Sequence, residues 1–104
     1  MFAQRADAAL QALNDALIRA AERYDCDSDF NAGTLTVSFD DPPARFVVSP
    51  NTPVHQLWVS ANVKSYKLAW DDARGEFVLP ATGQNLTQVT AAAMSALLGQ
   101  SVEL

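Results

Sequence analysis

The chain holds one cysteine, one histidine and four glycines among its 104 residues. A lone cysteine excludes an internal disulfide, so the fold must stand on burial, which suits a reducing compartment. No apolar run approaches the roughly 20 residues that a membrane-spanning helix needs. The opening MFAQRADAAL has neither the apolar core of a secretory signal nor the Arg/Ser-rich, acid-poor character of a transit peptide. The expectation is a cytoplasmic protein with no membrane partner. Cations are scarce too: seven Lys and Arg stand against twelve Asp and Glu, a formal charge of −5. Such a balance repels phosphate backbones and argues against nucleic acid as a partner. A glycine-rich phosphate loop and zinc-type Cys/His spacing are both missing.

At this length the sequence reads as one domain, residues 1–104, with room for a single core. Its charge is unevenly placed. Through Asp41 there are eight acids (Asp7, Asp15, Glu22, Asp25, Asp27, Asp29, Asp40, Asp41) against three arginines, whereas the remainder is balanced at four of each sign. The first two fifths therefore carry the whole net charge, a field that attracts cations or a basic partner.

From Phe2 to about Tyr24 apolar residues recur at steps of three and four (Ala6, Leu10, Leu13, Leu17, Ala20), without glycine or proline, and predict a long amphipathic helix. The period then falls to two. TLTVSF puts Leu35, Val37 and Phe39 on one face and Thr34, Thr36 and Ser38 on the other, after a turn at Ala32-Gly33. DDPP (40–43) reads as a turn, SPNTP (49–53) as a break between RFVVS and HQLWVS, and DDARG as the turn joining SYKLAWD to EFVL. Asn85 with Gln88 three residues later has capping-box spacing, and Gly99 stands where a helix would stop, so 86–98 reads as a second helix with Leu86, Val89, Ala93 and Leu97 on one stripe. The expected fold is α+β: a two-layer α/β sandwich with both terminal helices packed on one face of an antiparallel sheet of five to six strands.

That arrangement leaves one sheet face to water. If Leu57 and Val59 face the helices, then Gln56, Trp58 and Ser60 lie on the open face and Trp58 becomes a candidate contact residue. The alternative is a Trp58 covered by neighbours such as Tyr66, or an inverted assignment of faces.

The alternating aspartates of YDCDSDFNAG suggest a calcium loop, and spacing rejects it. Counted from Asp25, loop positions 6 and 12 hold Phe30 and Thr36 where glycine and glutamate are required. Two readings stay open: a shallow, carboxylate-only site for a hard cation, or a solvated acidic edge that protects a strand from mispairing. The motif alone favours the solvated edge, and the placing of Glu22 and Asp25 where a helix macrodipole disfavours anions argues mildly for the cation site. His55 lacks a nucleophile partner and reads as structural, and Cys26 among aspartates should have a raised thiol pKa and act as a small apolar filler. No assembled active site is apparent, and the protein is read as no enzyme.

Three stretches carry a resemblance. FNAGTLTVSF follows Asp27 as D-x-x-F-x-x-G-x-L-T-V, NTPVHQLWVS has the form T-P-x-x-Q-[hydrophobic]-W-[hydrophobic]-S, and a G-x-x-L turn (Gly83 to Leu86) leads into the last helix. Together with the acidic first helix these resemble the frataxin family, including its bacterial CyaY members, over nearly the whole chain. The resemblance implies weak binding of iron (Fe2+/Fe3+) by an acidic ridge, here Asp15, Glu22, Asp25, Asp27 and Asp29, with Asp40 and Asp41 nearby. It implies two protein partners, a cysteine desulfurase and an iron-sulfur scaffold protein, with a sheet surface of Asn51, Gln56, Trp58 and Ser60 meeting the scaffold. The function implied is an iron-binding regulator of iron-sulfur cluster assembly, monomeric without iron. Two alternatives are an oligomeric ferroxidase or iron store, and a metal-independent acidic interaction module. Arg19 and Arg23 interleave with the acids of the ridge, and Asp15 and Arg19 have the i, i+4 spacing of an ion pair. Phe77 stands where the family carries a tryptophan.

Overall fold

The computed structural model describes residues 1–40 and 42–104; Asp41, expected beside the acidic ridge, lies outside the described residues. The first helix, α1, spans Phe2–Ala20 and buries Ala6, Leu10, Leu13, Ala16, Leu17 and Ala20. It ends short of the expected Tyr24. There the hydrogen bonds tighten, with Glu22 N–H donating to the Arg19 carbonyl and both Arg23 and Tyr24 N–H donating to Ala20. No side chain caps its first turn, so its stability comes from alanine-rich propensity and the buried stripe.

Six strands follow in sequence order across one antiparallel sheet: β1 (Cys26–Asn31), β2 (Thr34–Asp40), β3 (Pro43–Asn51), β4 (Gln56–Ala61), β5 (Lys64–Asp71) and β6 (Glu76–Val78). Two of the hairpins are two-residue loops with positive φ at both positions, Ala32-Gly33 and Asn62-Val63. This left-handed pair matches strand twist. Glycine adopts it freely, whereas the β-branched Val63 at φ 57° is strained and fully exposed. Asn62 ties the same turn down, donating from Nδ2 to the Ala93 carbonyl at 3.0 Å.

The expected break at SPNTP falls later than the sequence suggested. Ser49, Pro50 and Asn51 continue β3 and pair with Trp58, Leu57 and Gln56, and the chain turns only in the 3-10 turn Thr52–Val54. Proline fits at position 50 because β2 stops pairing with β3 at Leu35 opposite Val48, so one edge of β3 is free beyond it. His55 does not start β4 but caps that turn at φ 53°, exposed, with its ring stacked on Phe2 at 5.1 Å.

The second helix, α2, spans Leu86–Leu98 as expected, with both arms of the Asn85/Gln88 capping box formed and Gly99 left-handed at its end. Thr90 and Met94 join its buried face, while Leu97 is only half-buried. The Thr90 hydroxyl donates to the Leu86 carbonyl at 2.8 Å, which satisfies it inside the core. Both helices lie on one face of the sheet and share one core with Leu35, Val37, Phe39, Phe46, Val48, Leu57, Val59 and Leu68. After α2 the tail folds back: Val102 is buried, its N–H donates to Ser95 Oγ at 2.9 Å, and Arg23 donates to the Glu103 carbonyl. No helix is long and apolar enough to cross a membrane, among the described residues.

Candidate functional site: an acidic edge and an open sheet face

Strand alternation sorts every residue of the sheet. In β4, Leu57, Val59 and Ala61 are buried while Gln56, Trp58 and Ser60 point away from the helices, the orientation expected from periodicity. Trp58 is 38% exposed. Tyr66 does not cover it, because Tyr66 pairs with Val59 and therefore lies on the helix side. What lies beside Trp58 is Lys67, its direct cross-strand partner, with Nζ 4.9 Å from the indole centroid. The indole N–H donates to Gln56 Oε1 at 3.0 Å. The ring is thus held by one neighbour along its own strand and one across, a fixed apolar plate in a field of small polar groups. Register places Ser49 directly opposite Trp58, and Asn51 opposite Gln56. Three of the expected contact residues, Asn51, Gln56 and Trp58, form one contiguous patch, with Ser60 two residues further along β4.

The acids follow a line. β1 is the edge strand, with Cys26 buried, Ser28 and Phe30 partly so, and Asp27, Asp29 and Asn31 exposed on the same open face as Trp58. Asp27 and Asp29 are one pleat period apart, about 7 Å. Asp25 sits in the bend before β1, Glu22 in the turn before that, and Asp15 further back on α1, all exposed. Asp40 ends β2 next to the start of β1, where Cys26 pairs with Phe39. Among the described residues no three Asp, Glu, His or Cys side chains gather closely enough to form a preformed metal nest. Asp27 and Asp29 mark the β1 margin of the sheet, Glu22 and Asp25 lead into it along the chain, and Asp15 lies on α1, so the acids are spaced out. Nor does Asp15 pair with Arg19: the one ion pair within 4.0 Å among the described residues is Arg74 with Glu76, at 2.6 Å. Arg19 is instead placed in the last turn of α1, where a cation meets the helix dipole favourably.

Cys26 is 6% exposed under this margin. Burial, then the charges of Asp27 and Asp25, push its thiol pKa up from the ordinary 9.0, so it is a packed neutral thiol and not a nucleophile or a thiolate ligand. Two shallow grooves, of about 450 and 350 Å³, flank the helices near Tyr66 and Trp70. Neither is lined by the aspartates or by Trp58, so the candidate site is a surface and not a cleft.

Lys67 is the residue that sequence reasoning missed. The signal was present but unmarked: a two-residue loop at Asn62-Val63 sets Ala61 opposite Lys64 and hence Trp58 opposite Lys67. That loop carries valine where such turns usually carry glycine, so its type could not be recognised from the residues.

The chain is thus a two-helix, six-strand sandwich with an acidic edge strand and an exposed tryptophan on its open side. The family is shown by comparison. The model of the frataxin-like domain matches residues 1–100, and the chain belongs to the frataxin family. It is similar to the iron-sulfur cluster assembly protein CyaY of Ectopseudomonas mendocina, 31% identical over 88 residues, which cover 85% of this chain and 77% of that one. The CyaY of Neisseria meningitidis serogroup B is 26% identical over 103 residues, 99% of this chain and 92% of that one. Among solved structures, yeast frataxin superposes with a TM-score of 0.73 at 20% identity, over 94% of this chain and 80% of that one. A frataxin from Psychromonas ingrahamii gives 0.64 at 20% identity, over 93% and 95%. These likenesses establish the same two-layer fold.

Proposed function

We propose that this chain is a non-enzymatic, iron-binding regulator of iron-sulfur cluster assembly. Iron(II) or iron(III), as cargo, is taken weakly by the acidic margin of Asp15, Glu22, Asp25, Asp27 and Asp29. The same margin faces a basic patch of a cysteine desulfurase, and Asn51, Gln56, Trp58 and Ser60 meet the scaffold protein. The observation that carries the reading is that Asp27 and Asp29 share the open sheet face with Gln56, Trp58 and Ser60, in a chain whose relatives are named iron-sulfur cluster assembly proteins.

The spacing of the acids supports a loose site. Carboxylates strung along an edge offer a hard cation one or two ligands at a time with water filling the rest, which favours exchange over storage. The same spacing also favours a second reading, a metal-independent acidic module in which the margin serves only a basic protein surface.

A cluster-assembly rate assay with a desulfurase and scaffold from the same organism tests the function: the rate is expected to change when the protein is added, and an unchanged rate overturns the reading. Iron(II) titrated into nitrogen-15 labelled protein should perturb amides of residues 15–31. Perturbations elsewhere alone would remove the metal site, and partner affinity that a chelator leaves untouched would select the metal-independent module.

A further inference from the structure

We infer that the uncovered edge of β5 and the groove beside it bind an extended acidic peptide segment, which joins the sheet as a further strand and lays alternate aliphatic side chains against α2. The groove lies on the helix side of the sheet, opposite Trp58, and the inference does not rest on the proposed function. β6 covers only residues 69–71 of β5, so among the described residues no strand pairs with the outer edge of residues 64–68. Hairpin geometry says which backbone groups this leaves free. The two-residue loop makes Ala61 and Lys64 a hydrogen-bonded pair, and alternation then turns the groups of Lys64, Tyr66 and Leu68 toward β4 and those of Ser65 and Lys67 outward. Asp71 has the same parity as Lys67, and its carbonyl does face outward, accepting from Gly75 N–H at 2.8 Å. Ser65 and Lys67 therefore present N–H and C=O groups to an added strand.

The groove, of about 450 Å³, runs between this edge and α2. Val89, Ala92, Ala96 and Leu97 line it from the helix and Tyr66 from the strand, and an added strand would point side chains into it at every second residue, about 7 Å apart. All 13 residues of α2 are uncharged, although Ala92 and Ala96 are exposed on a side where a helix facing only water ordinarily carries charge. Charge then selects the occupant. Lys64 is the one charged side chain lining the groove among the described residues; it is exposed, and the one ion pair found among them, Arg74 with Glu76, is elsewhere. A second copy of this chain fits poorly, because pairing two such edges gathers Lys64 and Lys67 from each copy with no acid in residues 64–68 to offset them. An acidic segment has the opposite balance, so the lysines that keep identical edges apart favour it. Where β6 begins to pair, at Ala69, the free edge ends, which limits how far the segment can run.

The probe is a short acetylated peptide of alternating valine and threonine that ends in glutamates, titrated into the nitrogen-15 labelled chain beside a lysine-ended peptide of the same core. The glutamate peptide is expected to shift the amides of Ser65, Lys67, Ala92 and Ala96 and to slow hydrogen exchange at Ser65 and Lys67. The lysine-ended peptide should bind at least about tenfold more weakly at low salt, a gap that narrows as salt rises and narrows again in Lys64→Glu. Ser65→Pro removes one outward N–H without touching the ladder to β4, and should keep a dispersed amide spectrum while losing at least about tenfold in affinity. Ala96→Glu, at an exposed residue, sets a like charge in the groove and should lose as much, which decides the matter if the proline variant does not fold. Absence of any shift with the glutamate peptide, shifts centred on Gln56, Trp58 and Ser60, or equal affinity for the two peptides overturns the inference.

Discussion

Neighbouring residues of β4 live in different media: Val59 is 1% exposed on the helix side of the sheet, and Trp58 is 38% exposed on the other. On the closed face the governing quantity is apolar area removed from water, so any well-fitting hydrophobe serves and polar groups appear only when self-satisfied, as Thr90 is. On the open face water already satisfies the small polar side chains, and burial constrains little. Residue choice there is free to answer to a partner, and the rigid closed face behind it holds each contact in place. On the proposed function, one strand carries stability and recognition on alternate residues, and changes of one kind should leave the other nearly untouched.

The strongest way to break this separation is Phe46→Ala. Phe46 is 1% exposed and packs against Phe39 at 4.9 Å between centroids, so its loss is expected to cost about 3–5 kcal/mol in urea unfolding. Asn85→Ala removes one arm of the capping box and the bond to Glu76, with an expected cost of about 1–2 kcal/mol. Trp58→Ala on the open face should cost only about 1 kcal/mol, mainly the Lys67 contact and partial packing, while weakening scaffold binding measured by titration. A loss as large as that of Phe46→Ala would show that Trp58 is part of the core and erase the distinction between faces. Val63→Gly should be gently stabilising, by about 0.5 kcal/mol, since relief of the left-handed valine slightly exceeds the entropy cost of glycine.

The smallest effect concerns pH. The Cys26 thiol titrates higher folded than unfolded, so the stability linked to it is fully present below the unfolded value near 9.0 and is lost as pH rises through the folded value above it. Cys26→Ala should flatten that alkaline limb of the stability curve and leave stability at neutral pH dependent only on packing.

Much of the fold was legible because it follows from local period and punctuation. The switch from a 3.6 to a 2.0 repeat located helix and strands, and the Asn85, Gln88 and Gly99 markers bounded α2 to the residue. Errors fell where local signals compete with distant pairing. Two prolines suggested a break at 49–53, yet β4 pairs with Ser49, Pro50 and Asn51 and extends β3 through them. The buried return of Val102 was also unseen, because one valine in a polar tail has no period. As for the candidate site, the aspartates and Trp58 were visible as residue types, but the Asp15–Arg19 pair that spacing allowed is not formed and Lys67 needed the register.

By itself the sequence determined the order of elements, which residues of a strand share a face, and the gathering of negative charge in its first two fifths. These depend on residues close in the chain, whose spacing alone fixes which face they share. Only the tertiary structure decided what stands beside what: Asp27 and Asp29 on an edge strand with no nest of acids around them, Tyr66 on the helix side, and Lys67 over Trp58. Strand register brings residues far apart in the chain within reach, and a shift of one residue would exchange every one of those neighbours.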